Sequence, residues 1–316
     1  MSEMHQNNPV NAAPPTVDPV AAARWWQGGV GLGQGGEAWL HDEVSRRMED
    51  RLQWIRLQPQ RWIHWMPTVG GLQAHARLAQ RYPQAQSQVV EASQARLRAA
   101  QQALTPAWWR RWGRTAPDFQ PPAPGQAQMV WANMLLHGSA DPQRLFQQWH
   151  QALAVDGFVM FSCLGPDTLR EWHAMYQQLG WPPAGSALTD MHDWGDMLIQ
   201  AGFAEPVMDM ERITLTYDSP DKLLQDLRSM GRNLHPQRFQ GLRGRRWREK
   251  LLAAMREHLA LPDGSGRLAL TFEIIYGHAL KPVPRVPVAP QTAVSLADMR
   301  SLLKQAGDSA QAPPAS

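Results

Sequence analysis

The chain has 316 residues, 31 of them Lys or Arg and 28 Asp or Glu, so its formal net charge is +3. A hydrophobic fraction of 43% supplies a real core and excludes a wholly disordered chain. The 15 tryptophans outnumber the 7 phenylalanines and 4 tyrosines, and composition alone leaves open whether they build core, ligand platform or partner surface.

Cysteine and histidine usage excludes two kinds of site. A single cysteine, Cys163, rules out an internal disulfide framework and a zinc site built on cysteines, and its apolar neighbours predict a buried, unreactive thiol. The 11 histidines show no zinc-ligand spacing, so no metal is expected. His192 is crowded by Asp190, Asp193 and Asp196, and we interpret this group as a helix-capping cluster.

Targeting signals and membrane spans are not expected. A signal peptide has a basic start followed by an apolar stretch, and the first residues lack this pattern. No run of about 18 apolar residues occurs. We therefore expect a cytoplasmic protein.

Composition divides the chain into three regions. Residues 1–20 are polar and Pro-rich and are expected to be a disordered tail. Residues 282–316 form a Pro- and Ala-rich tail. The folded domain is predicted over residues 21–281, with an N-terminal helix over 37–58 and a helical basic insertion over 218–262.

Strand and helix patterns alternate along the folded domain. The predicted strands are Arg61–Met66, Gln88–Glu91, Gln128–Asn133, Phe158–Leu164, Val207–Tyr217 and Leu268–Leu280. The predicted helices between them are Leu72–Arg81, Ser93–Ala103, one opened by Asp141, Asp190–Ala201 and Pro220–Met230. This order predicts an α/β fold with a parallel sheet, and a partly alternating pattern near the end predicts an edge or antiparallel strand.

Two glycine-rich stretches are candidates for a nucleotide-binding turn. Gly31-x-Gly33-x-x-Gly36 matches the dinucleotide fingerprint, but no credible strand precedes it, so a flexible entry loop is the better interpretation. Gly70 and Gly71 instead follow a predicted strand and precede a predicted helix, where the first βα turn of a nucleotide-binding sheet lies.

An acid accompanies the second candidate turn. Glu91 falls about 20 residues beyond it, at the end of the next strand, where an acid binds ribose hydroxyls. The competing interpretation is an ordinary tight turn with a solvent-facing glutamate.

Cations concentrate in one stretch near the C-terminal end of the domain. Its members are Arg228, Arg232, Arg238, Arg243, Arg245, Arg246, Arg248, Lys250 and Arg256. Few acids offset them, so segment 228–256 suits phosphates, nucleic acid or an acidic partner protein, unless it is a solvated helix face. Trp247 is a single aromatic residue there, which is thin support for stacking on bases.

Four segments carry a resemblance to a known family. Residues 160–172 (MFSCLGPDTLREW) and 189–217 (TDMHDWGDMLIQAGFAEPVMDMERITLTY) are the most specific, and residues 39–59 and 129–153 also match. Together they resemble the malonyl-acyl-carrier-protein O-methyltransferases of biotin synthesis, which are class I enzymes dependent on S-adenosyl-L-methionine. The similarity extends patchily from about residue 39 to residue 281.

The resemblance implies a seven-stranded, Rossmann-like class I methyltransferase sheet, mostly parallel with an antiparallel last strand and helices on both faces. The cofactor would lie at the carboxyl ends of the strands, held by Gly70, Gly71, Glu91 and Asn133. Arg238 would contact the substrate, and the basic stretch would meet a malonyl thioester or its acyl carrier protein. No catalytic base is assigned, because a carboxylate is already a nucleophile and catalysis is mostly alignment and removal of water.

The first cofactor loop departs from the family's pattern. Where the family has Asp-x-Gly-x-Gly-x-Gly, this chain has His64 at the acid and Met66 and Thr68 at the first two glycines, so only Gly70 remains. Met66 and Pro67 would obstruct close approach of the cofactor's methionine moiety. A catalytically inactive binding or scaffolding relative therefore stands beside the enzyme hypothesis, and nucleic-acid binding is the least supported hypothesis.

A second departure concerns an expected strand and several tryptophans. The Pro-rich segment 105–125 lacks a strand pattern, and the acid expected there is missing unless Asp118 serves. Gln128 replaces the acid that usually begins the fourth strand. We expect the tryptophans around these departures to fill or reshape the cofactor half of the fold. They are Trp62, Trp65, Trp108, Trp109 and Trp112.

Overall fold

The computed structural model describes residues 17–28, 39–105 and 116–284. In these ranges the strands are β1 (Arg61–Trp65), β2 (Gln86–Val90), β3 (Ala127–Ala132), β4 (Leu153–Leu164), β5 (Ala204–Tyr217) and β6 (Leu268–Leu280). They form one sheet in the order β2-β1-β3-β4-β6-β5. The first four strands are mutually parallel, whereas β6 runs antiparallel to both of its neighbours.

Helices cover both faces of this sheet. They are α1 (Pro19–Gln27), α2 (Trp39–Arg51), α3 (Pro67–Gly70), α4 (Gln73–Arg81), α5 (Gln94–Leu104), α6 (Pro142–Ala152), α7 (Arg170–Gln178), α8 (Met191–Gln200), α9 (Pro220–Met230) and α10 (Arg245–His258). One core cluster joins the sheet to α2, α4, α7, α9 and α10, and the other joins it to α6 and α8. The predicted α/β class, with a mostly parallel sheet and helices on both faces, is confirmed.

Alternation along the strands divides the core between the two faces. On β1, Trp62 belongs to the cluster under α2 and α4, whereas Ile63 belongs to the cluster under α6. Val130 and Trp131 on β3 divide in the same way. Successive side chains of a strand point to opposite faces, so these apolar runs are buried on both sides.

Several predicted boundaries were wrong. The helix predicted over 37–58 ends at Arg51 and continues as a 3₁₀ turn, Leu52–Trp54. The strand predicted over Phe158–Leu164 begins earlier, at Leu153, so that Asp156 lies inside β4, where the register is irregular. Asp156 takes a left-handed backbone conformation (φ 63°), which bends the strand without ending it.

Three helices were not predicted: the single turn α3, which occupies the predicted turn after β1, and the longer helices α1 and α7. Helix α1 begins at Pro19, and the carboxylate of Asp18 caps it by accepting from the N–H groups of Val20 and Ala21 at 2.9 and 3.1 Å. Helix α7 follows Leu169, which has a left-handed backbone (φ 57°) and whose side chain does not cap the helix. The sequence therefore contains no capping residue that would predict the start of α7.

The family resemblance implies a strand in segment 105–125, but the described residues of this segment form only one isolated β-bridge. The carbonyl oxygen of Asp118 accepts from Val89 N–H, and the N–H of Asp118 donates to Ser87, both at 2.8 Å. Asp118 therefore pairs in parallel with Gln88 at the outer edge of β2. Prolines on both sides lack the N–H donors that a longer ladder needs, so the seven-stranded expectation was wrong for this edge.

Three smaller expectations are tested by the same structure. Cys163 is buried, and burial raises the pKa of its thiol, which confirms the inert cysteine. The Asp190 carboxylate accepts from His192 N–H at 2.8 Å and caps α8, which confirms the capping interpretation. Within the described ranges, no helix combines the length and apolar character needed to cross a bilayer.

Contacts group the chain up to Pro282 into one compact unit. The remaining residues, 283–316, form a second unit, of which Val283 and Pro284 are described. The glycine pattern Gly31-x-Gly33-x-x-Gly36 lies outside the described residues.

Candidate active site

The turn after β1 is a compact helical turn. Met66 adopts a left-handed backbone (φ 52°), and its N–H donates to the carbonyl oxygen of Val90 at 2.7 Å. Pro67 occupies the first position of α3, where its missing N–H costs nothing, and Gly71 (φ 114°) ends the turn. The β1 turn therefore lies where the sequence predicts it, but with a tighter backbone than an open glycine loop.

Gly70 lies directly against the end of β3. A Cβ atom at this position would clash with the carbonyl oxygen of Asn133, so no larger residue fits without a shift of backbone. This contact is the physical reason why the last glycine of the family's pattern remains here.

Asn133 supports the loop from inside the protein. Its side-chain amide donates to the carbonyl oxygens of Gly70 and of His41, the latter at 2.9 Å, and its side-chain oxygen accepts from Ser162 at 2.7 Å. Asn133 is fully buried. Its polar atoms hold the β1 turn, the β3 end and α2 together.

Glu91 faces the same loop from the end of β2. Its Oε1 accepts from the Thr68 N–H at 2.9 Å and its Oε2 from the Thr68 hydroxyl at 2.8 Å. A carboxylate has about four acceptor positions, so these bonds leave capacity for further donors. Burial raises the pKa of Glu91 to about 6, against the opposing effect of the bonds from Thr68 and the charge of Arg96.

A cavity of about 610 Å³ opens beside Glu91 at the carboxyl ends of β1 and β2. Trp65 and Met66 lie in its wall, and α1 contributes Ala22 and Trp26. Residues of α6 complete the opposite side. The wall is mainly apolar, with two acidic residues, Glu91 and Asp141, and one arginine, Arg144, a composition typical of small-molecule sites.

The structure describes two of the five tryptophans that were expected to fill or reshape the cofactor half of the fold, and they occupy different surroundings. Trp65 lies in the wall of this cavity. Trp62 is 1% exposed and packs in the core, with its ring centroid 4.7 Å from that of His75. The two tryptophans are an odd number of positions apart on β1, so they face opposite sides of the sheet. The three tryptophans between residues 106 and 115 lie outside the described residues.

His64, at the position of the family's acid, is a core residue. It is fully buried and stacks on His75 with an angle of 7° between the rings and 3.4 Å between the two Nδ1 atoms. Burial lowers the pKa of both side chains, that of His75 to about 4, so both are neutral near pH 7. His64 Nε2 has no partner among the described residues, which favours the tautomer whose Nδ1 donates to His75.

A second cavity, of about 850 Å³, lies beyond the Asn133 contact, with His41 and Met134 in its wall. Most of the wall is apolar and comes from α7, α9 and the segment between α9 and α10. Three histidines line it, and burial lowers the pKa of each, that of His137 to about 3. Its positive charge comes from Arg228, Arg232, Arg238 and Arg243.

Arg238 reaches this cavity, but an internal carboxylate already meets its charge. Arg238 Nη1 donates to Asp18 Oδ2 at 2.7 Å and to the carbonyl oxygen of His235 at 2.9 Å. The hydrogen bond from Arg238 lowers the pKa of Asp18. Asp18 and Arg238 are 220 positions apart, so no local sequence pattern could link them.

Arg96 is a buried residue near the cofactor turn that no sequence pattern predicted. This arginine is 2% exposed and donates to the hydroxyl of Thr68 at 3.2 Å and to the carbonyl oxygens of Trp26 and Trp25 at 2.7 and 2.8 Å. It lies in the first turn of α5, where the helix dipole disfavours a cation. That unfavourable placement was the available signal that Arg96 has partners elsewhere.

The part of the chain that the structure describes contains no cluster of metal-binding side chains. No group of three His, Cys, Asp or Glu side chains is placed to hold an ion there. The candidate site consists of two separate cavities, one beside Glu91 and one beside His41 and Met134, with no lining residue in common.

Comparison with solved structures identifies the fold. The chain superposes with a TM-score of 0.50 on the YcgJ protein of Bacillus subtilis, at 10% identity over 76% of this chain and 99% of that chain. It also superposes with a TM-score of 0.50 on a Bacillus halodurans protein provisionally assigned as a methyltransferase, at 13% identity over 75% and 100% of the two chains. The fold is the Rossmann-like class I methyltransferase fold.

Comparison with curated proteins identifies the family, although no protein-family model matches the chain. The chain is 38% identical to the malonyl-[acyl-carrier protein] O-methyltransferase of Gallionella capsiferriformans, over 80% of this chain and 88% of the relative. It is 37% identical to the protein of the same name from Laribacter hongkongensis, over 78% and 84%. The resemblance seen in the sequence is thus confirmed, and the chain belongs to the malonyl-[acyl-carrier protein] O-methyltransferase family.

Proposed function

We propose that the protein is a carboxyl O-methyltransferase that esterifies the free carboxylate of a malonyl thioester on acyl carrier protein, with S-adenosyl-L-methionine as methyl donor. The observation that carries the proposal is the presence of two cavities, one with Glu91 beside a mainly apolar wall and one lined by four arginines. The reaction serves biotin precursor synthesis in the cytoplasm.

The cavity beside Glu91 fits the adenosine end of the cofactor. Its volume of about 610 Å³ is within the range of small-molecule sites, and Glu91 has acceptor capacity for the two ribose hydroxyls. Met66 forms part of the wall, and Thr68 bonds Glu91, so neither replacement fills the cavity. Gly70 and Gly71 shape the adjoining turn, and Asn133 supports it.

When bound, the cofactor supplies an electrophilic methyl group. The substrate carboxylate needs no general base, so the protein has to bind, orient and desolvate it. A site without a catalytic acid or base is therefore compatible with methyl transfer to a carboxylate.

The larger cavity suits an anionic thioester. Its histidines are neutral near pH 7 because burial lowers their pKa, so the arginines hold the carboxylate. Arg238 is the candidate ligand, and its ion pair with Asp18 holds its side chain in the wall of this cavity. The apolar wall, which includes Trp172 and Phe272, accommodates the uncharged part of the thioester arm.

The basic stretch offers a surface for the carrier protein. Arg245 and Arg246 are exposed at the start of α10, close in sequence to Arg243, which lies in the wall of the larger cavity. Arg243 stacks over the ring of Trp247, with its guanidinium carbon 3.6 Å from the ring centroid. Exposed arginines beside a substrate cavity favour an acidic partner that delivers its cargo into that cavity.

The direct test is a transfer assay on intact carrier protein. Purified enzyme is incubated with malonyl-acyl carrier protein and S-adenosyl-L-methionine, and the carrier is weighed by mass spectrometry. We expect a mass gain of one methyl ester with malonyl cargo and none with acetyl cargo, which lacks a free carboxylate. Binding of S-adenosylhomocysteine without any ester product would instead favour the inactive relative.

A further inference from the structure

Helix α1 lies over the cofactor cavity and is held at both ends. Ala22, Ala23 and Trp26 of this helix lie in the cavity wall, and the Trp26 indole N–H donates to the carbonyl oxygen of Gly138 at 2.7 Å. At its N-terminal end, Asp18 is paired with Arg238 and its N–H donates to Leu234. The helix therefore separates this cavity from solvent on one side.

Arg96 holds the C-terminal end of the helix. Its Nε and Nη2 atoms donate to the carbonyl oxygens of Trp26 and Trp25, which belong to the last turn of α1. Carbonyl groups of a last helical turn lack intrahelical partners and carry the negative end of the helix dipole. A buried guanidinium that donates to two of them is a strong, charge-assisted tie.

The same guanidinium reaches the acid of the cofactor cavity through one side chain. Arg96 Nη1 donates to the Thr68 hydroxyl, which in turn donates to Glu91 Oε2 at 2.8 Å. Arg96 thus links the C-terminal end of α1 to Glu91 through Thr68. Arg96 itself does not lie in the cavity wall.

The helix depends on such ties. It has nine residues, and isolated helices shorter than about 12 residues are marginal in water. Without Arg96, its C-terminal end would keep the Trp26 bond to Gly138, while the Asp18 pair would still hold the other end. Loss of Arg96 should therefore loosen the C-terminal end of α1 and leave the sheet intact.

We propose that Arg96 is a positioning residue for the cofactor: it holds α1 as one wall of the 610 Å³ cavity and, through Thr68, orients Glu91 toward the ribose. The proposal rests on the cofactor assignment made above. It adds a structural requirement, that closure of α1 is part of cofactor binding.

The test compares binding of S-adenosylhomocysteine by calorimetry in four proteins: the wild type, Arg96→Met, Arg96→Lys and Arg98→Met. We expect Arg96→Met to raise the Kd roughly tenfold, because the binding-competent closed form becomes a minor state. Arg96→Lys keeps one charged donor and should give an intermediate Kd. Arg98 is exposed on the same helix, so Arg98→Met should leave the Kd unchanged.

A second readout follows α1 itself. Arg24 is an exposed trypsin site within the helix, and cleavage after it is measured by mass spectrometry. S-adenosylhomocysteine should slow this cleavage in the wild type and much less in Arg96→Met. Trp26→Ala, which weakens α1 without touching α5, should raise the Kd in the same direction.

The outcomes separate the two proposals. A wild-type protein that binds no S-adenosylhomocysteine would overturn the proposed function. Normal binding by the wild type, with an unchanged Kd and unchanged Arg24 cleavage in Arg96→Met, would overturn the role of Arg96. If Arg96→Met does not fold, an unchanged Kd in folded Trp26→Ala decides against the proposal.

Discussion

At the residue scale, the protonation of Glu91 links cofactor affinity to pH. Burial raises the pKa of this carboxyl to about 6, so it is ionised above that pH and protonated below it. An ionised carboxylate accepts from both ribose hydroxyls, and a protonated one has less acceptor capacity. We therefore expect affinity for S-adenosylhomocysteine to fall as the pH drops through about 6, by roughly tenfold at pH 5.

The measurement is a series of calorimetric titrations between about pH 5 and pH 8, a range that brackets the raised pKa. Glu91→Gln removes the ionisation and should give weak affinity with a flat pH profile over this range. A wild-type Kd that does not change across the series would contradict the assignment of Glu91 to the ribose.

Sequence analysis located some site residues and not others for a physical reason. Gly70 and Glu91 follow strands at characteristic spacings, so their places at the carboxyl edge follow from local pattern. Arg96 and Asp18 act through contacts with distant parts of the chain, to the carbonyl oxygens of Trp26 and Trp25 and to Arg238. Such contacts exist only after the fold brings the segments together.

At the scale of single elements, the start of α10 should govern encounter with the carrier protein. Charge reversal in the double variant Arg245→Glu, Arg246→Glu should weaken binding of acyl carrier protein by roughly tenfold at low salt. The difference from the wild type should shrink as salt rises, because exposed charges are screened.

A matched control places the same charge change at the opposite edge of the sheet. Arg56 and Arg61 are exposed at the amino-terminal end of β1, away from the strand ends that carry the cavities. The double variant Arg56→Glu, Arg61→Glu should bind the carrier like the wild type. Equal weakening by both double variants would show that net charge matters and that α10 is not the docking surface.

The elements were predictable where local chemistry determines them. Apolar runs predicted β1, β3 and β6 within a residue or two, and Ser93 correctly marks the start of α5. Helix α1 was missed although Asp18 followed by proline is a helix-start signal, because its short sequence shows no long apolar period.

At the scale of the whole molecule, buried neutral histidines should make the fold sensitive to acid. Burial lowers the pKa of His64 and of His75, the latter to about 4, from an unfolded value of 6.5. Their contribution to the free energy of unfolding is fully present above the unfolded pKa and is lost as the pH falls toward the folded pKa. For His75 the loss is about 2 kcal/mol between pH 7 and pH 5.

Urea unfolding at a series of pH values measures this loss. The raised pKa of Glu91 acts in the opposite direction, so the informative comparison is with His75→Phe, which should lose less stability on acidification than the wild type. His192→Gln is the control, because His192 is exposed. Parallel pH profiles for the wild type and His75→Phe would refute the assignment.

For the sheet as a whole, the sequence predicted the fold class but not which face of a strand each side chain occupies. Alternation of strands and helices indicates a parallel α/β sheet, and the resemblance added an antiparallel strand at the end. Trp62 and Trp65 lie on opposite faces of β1, because successive side chains of a strand alternate between the two faces. The expectation that both would shape the cofactor half did not take this alternation into account.

The single bridge at Asp118 has a consequence for self-association. An open strand edge exposes rows of unpaired N–H and C=O groups, which recruit strands from other molecules and start aggregation. Here Asp118 occupies the middle of the β2 edge, and the neighbouring residues Pro117, Pro121 and Pro122 have no N–H to offer an incoming strand. The described part of the proline-rich segment thus covers this edge of the sheet and offers few N–H donors to a strand from another molecule.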